Sequence, residues 1–132
     1  PETQVVLPLL ESDLLTIMRA CRNGTLADTE VKFSDGAACC VIMASSGYPE
    51  HYEKGFAITM PAETASNTYV AGAKRENDRL LTSGGRVFGV TATAADLKSA
   101  VEKAYERVES VQFENAFYRR DIGRRALEAL KQ

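Results

Sequence analysis

The stretch 79–93, Arg-Leu-Leu-Thr-Ser-Gly-Gly-Arg-Val-Phe-Gly-Val-Thr-Ala-Thr, constrains this chain more than any other. Gly84-Gly85 supplies backbone angles that other residues resist, in the middle of otherwise apolar sequence. Residues 80–92 therefore read as a strand pair or as one strand bent at that corner. The sequence then runs into its clearest amphipathic helix. Thr93-x-x-Asp96 resembles a capping box, and Leu97, Val101, Ala104, Val108 and Val111 make one apolar stripe along the helix it starts. A helix of that kind packs flat on a sheet, so the corner, the strand and the helix predict an α+β domain.

At 132 residues the chain has the length of one domain, or of one domain and part of another. With 45% hydrophobic and 26% charged residues it can hold a core and is not a disordered tail. A formal net charge of -2 gives no general attraction to nucleic acid or to an anionic membrane. No apolar run approaches the roughly 20 residues that span a bilayer, and there is no secretory pattern. The three cysteines are an odd number, and Cys39 and Cys40 are neighbours that face opposite sides of a strand. No Cys-x-x-Cys spacing exists and His51 is the single histidine, so neither a disulfide framework nor a zinc site is expected. A reducing, cytoplasmic setting fits this cysteine usage.

Residues 1–10 read as a short helical or irregular lead broken at Pro8. Ser12 and Asp13 are N-cap candidates for a helix with Leu14, Ile17, Met18 and Cys21 on one face, closed by Asn23-Gly24. A domain boundary is expected near residues 26–28, with 1–27 helical and 28–132 strand-rich. Val31-Lys32-Phe33 alternates, Ser34-Asp35-Gly36 is a turn signal, and 37–44 is continuously apolar, which predicts a hairpin whose second strand is buried on both faces. After a Gly47-Tyr48-Pro49 loop, residues 55–60 and 68–73 are short strand candidates, and 74–78 is too polar for anything but a turn. A last helix places Ala126, Leu127 and Leu130 on one face.

Two basic groupings carry the chemistry. Ser83, Gly84, Gly85 and Arg86 form a corner that can offer backbone N–H groups and a guanidinium to carboxylate or phosphate oxygens, or can be a tight structural turn. It is not a nucleotide P-loop, because no Gly-Lys-Ser/Thr follows. Arg119, Arg120, Arg124 and Arg125 surround Asp121 at a loop-to-helix junction, which suits a phosphate lobe or a solvated face with surface ion pairs. Arg124 and Arg125 lie in the helix and read as surface residues. Tyr48-Pro49 with Tyr52 reads as loop packing and His51 as a surface residue. No paired carboxylates and no nucleophile with a base stand out.

Gly47-Tyr48-Pro49, Lys54-Gly55, Thr82-Ser83-Gly84-Gly85-Arg86-Val87, Gly89-Val90-Thr91-Ala92, Ala104-Tyr105 and Tyr118-Arg119-Arg120-Asp121-Ile122-Gly123 together resemble the C-terminal domain of the phosphoribosylamine-glycine ligase family. The resemblance covers nearly all of 37–125 in order, and Pro1-Glu2-Thr3-Gln4 looks like the end of that family's Gly-Asp-Pro-Glu-Thr-Gln segment. It implies a small, mostly antiparallel sheet flanked by helices, preceded at 1–27 by the helical end of an ATP-grasp domain. It also implies an enzyme of purine biosynthesis that activates glycine as an acyl phosphate with ATP and magnesium, after which the amine of 5-phosphoribosylamine attacks. The family's magnesium ligands and ATP lobes would lie upstream of Pro1. This part alone would then be inactive and bind neither ATP nor Mg2+ nor any other metal.

On that resemblance Arg86 and the Arg119-Arg120 pair, with Ser83, Gly84, Gly85 and Asp121 around them, become candidates for holding the phosphoribosylamine phosphate. The rest of the same polypeptide would be their partner. Where the family usually reads Phe-His-Ala-Gly-Thr, this chain has Tyr69-Val70-Ala71-Gly72-Ala73, so no role of that histidine or threonine carries over. The start at Pro1 without methionine reads as a piece of something longer. The alternative from another class is a stand-alone module that binds a phosphorylated metabolite or a partner protein. RNA binding is disfavoured by the acidic balance.

Overall fold

The apolar run in the first half and the strand after the glycine corner are each other's partners. In the computed structural model, which describes residues 2–130, β1 (Ala37–Ser45) pairs antiparallel along its length with β5 (Arg86–Ala94), from Ala37 opposite Ala94 to Met43 opposite Phe88. The register slips between Met43 and Ala44, so that Ala44 faces Arg86. β2 (Thr68–Val70) adds to the free edge of β5, and β6 (Ala116–Phe117) to that of β1, giving an antiparallel sheet in the order β2-β5-β1-β6. Pro1 of the Pro-Glu-Thr-Gln segment and residues 131–132 lie outside the described residues.

The long helix α4 (Leu97–Ser110) covers one face of this sheet. Its Ala100, Val101, Ala104 and Val108, with Val111 at the C-cap, meet Cys39, Val41, Met43, Val87, Phe88 and Val90 in one core. Phe88 is the largest of its fully buried side chains. Burial of this apolar surface is the main stabilising contribution, since water is excluded from both the sheet face and the helix stripe. The helix begins later than the Thr93 capping box predicts. Thr93 stays in β5, and Asp96 is the N-cap, accepting hydrogen bonds from the Ser99 N–H at 2.9 Å and the Ser99 hydroxyl at 2.7 Å.

The expected hairpin between 31–33 and 37–44 does not form. Phe33 bridges Leu10 instead, and the Ser34 N–H donates to the Leu9 carbonyl at 2.8 Å. β1 pairs along its length with the nine-residue β5, a longer ladder than a three-residue neighbour could offer. The 74–78 turn is also shorter than expected. β3 (Ala73–Glu76) and β4 (Arg79–Thr82) make a separate two-stranded ladder, turned by Asn77 and Asp78, both at positive φ. β3, mostly exposed, leaves no apolar alternation in the sequence, whereas Asn and Asp tolerate left-handed angles. Residues 55–60 contribute only single bridges, Ala57 to Leu81 and Thr59 to Gln112, and a short turn of helix α3 (Ala62–Ala65) follows.

At the N-terminal end, α1 (Thr3–Val6) runs into a 3-10 turn containing Pro8, and α2 (Leu14–Asn23) starts at Asp13, whose carboxylate accepts from the Thr16 N–H. α2 ends at Gly24 in the left-handed region, φ 73°. Its apolar stripe is largely not buried: Leu14, Met18 and Cys21 are exposed and Ile17 is half-buried, while within the helix only Ala20 is fully covered. At the other end α5 (Arg124–Ala129) packs through Leu127 alone, while Ala126 and Leu130 face solvent. No helix is long and apolar enough to cross a membrane among the described residues.

Candidate functional site

On the sheet face away from α4, Cys40, Ile42 and Ala44 of β1 floor an apolar cleft of about 260 Å3. Phe117, Tyr118 and Ile122 wall it on the β6 side and Tyr48 on the other, and two cations, Arg86 and Arg119, reach its rim. Alternation along β1 decides this division: Cys39, Val41 and Met43 go into the core, so their neighbours go into the cleft.

The glycine corner builds one wall by being small. An added Cβ at Gly85 would collide with the Tyr48 ring, so the absence of a side chain there seats the aromatic wall. Gly84 lies against Gly72, and the N–H groups of Ser83 and Gly84 both donate to the Gly72 carbonyl, at 2.7 and 3.1 Å. From the other side the Ser45 hydroxyl donates to the Gly84 carbonyl at 3.1 Å, and the Ser45 N–H to the Gly85 carbonyl at 2.8 Å. The Ser83 and Gly84 donors are thus consumed within the fold. Of the four corner residues, only Arg86 lines the cleft.

The arginine turn is held from α4. Tyr105 donates its hydroxyl hydrogen to the Arg119 carbonyl at 2.7 Å and accepts from the Ile122 N–H at 3.0 Å. Between those anchors the Arg119 guanidinium grips Asp121 in two parallel bonds, Nε to Oδ1 at 2.9 Å and Nη2 to Oδ2 at 2.8 Å. This fork fixes the plane of the guanidinium. The Arg119 hydrogen bonds hold the Asp121 carboxyl below the usual aspartate range, and the same contact raises the Arg119 value. Desolvation raises the Tyr105 phenol, which therefore stays protonated and keeps its donor.

Arg120 does not line the cleft. It lies over the Tyr118 ring, 5.1 Å from the centroid, beside a neighbouring depression that it shares with Arg119 and Asp121. Arg124 and Arg125 line a further shallow depression with Arg119, and Arg124 approaches Glu128 at 3.9 Å. Gly123, at φ 83°, lets the chain turn into α5 where a Cβ would lie 2.7 Å from a Val101 methyl. Tyr105 appears in the sequence only within the resemblance, and Tyr48 there and as loop packing, neither with a site role. Ile122 enters the sequence reading only as a member of the resembling turn motif, and Phe117 carries no site signal. Among the described residues no three His, Cys, Asp or Glu side chains come together as a metal ion requires. His51 is exposed, as expected.

Residues 38–125 match the family described as phosphoribosylglycinamide synthetase, C domain. The chain is 47% identical over 131 residues to the phosphoribosylamine-glycine ligase of Chlorobaculum tepidum, covering 96% of this chain and 31% of that protein. It is 44% identical to a bifunctional purine biosynthetic protein of Schizosaccharomyces pombe, covering 96% of this chain and 16% of the other. The crystal structure of the phosphoribosylamine-glycine ligase from Thermotoga maritima superposes with a TM-score of 0.74 at 34% identity, over 92% of this chain and 30% of that one. The chain thus spans about a third of the length of the ligases it matches. By its matched residues and by its sheet-and-helix fold, it belongs to the phosphoribosylglycinamide synthetase C-domain family.

Proposed function

We propose that this chain works as the C-terminal domain of a cytoplasmic, ATP-dependent ligase that joins glycine to 5-phosphoribosylamine through a glycyl phosphate, giving glycinamide ribonucleotide. The names of its relatives support the reaction class. Within that enzyme the domain's task is to hold the phosphate of phosphoribosylamine. The observation that carries this assignment is the convergence of Arg86, from β5, and Arg119, from the turn before α5, on one cleft. Two guanidiniums at the rim of an apolar floor can give a dianionic phosphate charge-assisted bonds. Arg120, beside the same turn, adds positive potential, and Asp121 orients Arg119.

From the family resemblance we assign ATP and Mg2+ to the remainder of the polypeptide, and residues 1–27 to the end of that preceding part. No chemical step is placed on this domain's side chains. Arg119→Ala and Arg86→Ala, made in the complete ligase, should each raise the KM for phosphoribosylamine by about tenfold or more, the worth of one charge-assisted bond, with a smaller change in kcat. An unchanged kcat/KM in both variants would refute the assignment.

A further inference from the structure

We infer that Tyr105 is the positioning residue of the phosphate site: its one hydroxyl closes the Arg119–Ile122 turn onto α4 and so aims Arg119 at the cleft. The inference rests on the reading of Arg119 as a phosphate contact. The hydroxyl lies between the two ends of the turn, donating to the Arg119 carbonyl at 2.7 Å and accepting from the Ile122 N–H at 3.0 Å. It uses its single hydrogen and a lone pair at once, which a serine or a water at that place would not hold with the same rigidity. Tyr105 stands on the best-anchored helix of the fold, one residue after the fully buried Ala104. The turn itself has few ties of its own. Arg119 and Asp121 are bonded to each other, and the Arg124 N–H reaches back to the Asp121 carbonyl at 3.2 Å. A guanidinium locked to Asp121 but attached to an unpinned backbone would move with that backbone as a unit. Small displacements of a binding group cost affinity steeply.

Tyr105→Phe removes both bonds and keeps the ring beside Tyr118, whose centroid is 6.2 Å away. In the complete ligase this variant should raise the KM for phosphoribosylamine about three- to tenfold, the scale of one or two hydrogen bonds, with a much smaller change in kcat and in the KM for glycine. In an Arg119→Ala background the same substitution should add almost nothing, because the group it positions is gone. If Tyr105→Phe raises that KM equally with and without Arg119, or leaves it unchanged while Arg119→Ala raises it, Tyr105 does not act through Arg119 and the inference falls alone. If Arg119→Ala itself leaves the KM unchanged, the phosphate reading falls and takes this inference with it.

Discussion

Glycine positions in this chain differ sharply in what they tolerate. At Gly72 an added Cβ would meet the Arg86 carbonyl oxygen and lie 2.7 Å from Gly84 Cα, all backbone that cannot rotate aside. Gly72→Ala is expected to cost about 3 kcal/mol, seen as a large fall in Tm. Gly24, with φ +73° and open space around it, should lose only about 1 kcal/mol as alanine, the left-handed penalty alone. Asp121 provides a pH test of the turn. Its carboxyl is depressed in the folded state by the Arg119 bonds, so the stabilising effect of the pair is present above the usual aspartate range and is lost as pH falls through the folded value. Carboxyl-carbon NMR should give Asp121 a midpoint below the usual aspartate range, and Arg119→Ala should return it toward that range. The sequence made Arg119 and Asp121 visible as a basic turn whose acid can orient one arginine, but not which arginine it holds. That pairing depends on backbone angles which Tyr105, on another element, enforces.

Among the elements, those with a strong period were legible. The stripe on α4 and the doubly buried run of β1 follow from apolar spacing, because each must face the other to leave water. Phe88→Ala should therefore remove about 3–5 kcal/mol and leave the domain at the edge of folding, by urea or thermal unfolding. β4 falls largely in the 80–92 stretch read as strand, but β3 and their pairing were not legible, since the mostly exposed residues of β3 leave no alternation for burial to select. The stripe on α2 was legible as a helix but not as an exposed one. Its consequence is chemical: Cys21 is exposed, whereas Cys39 and Cys40 are buried, the first with its thiol pushed up to about 11 by desolvation. A thiol reagent near pH 8 should label Cys21 first in the folded chain and reach Cys39 only after unfolding, as mass spectrometry would show.

For the whole molecule, the proposed division of labour predicts that this chain alone shows no glycine-dependent ATP hydrolysis, in a coupled assay with glycine, Mg2+ and phosphoribosylamine. Robust turnover would show that the catalytic apparatus is inside it. By itself the sequence determined what is local: a glycine corner, a capped amphipathic helix, a buried strand, a basic turn, and through their order the family. Each of these depends on residues within a few positions of one another, and their preferences act before any long-range contact forms. Only the tertiary structure decided which strands pair, that Ser83 and Gly84 spend their donors on Gly72, and that the corner's arginine and the turn's arginine line one cleft floored by β1. Those outcomes are settled by packing between distant segments, where burying the sheet face against α4 fixes the register and the register places Arg86 beside the cleft.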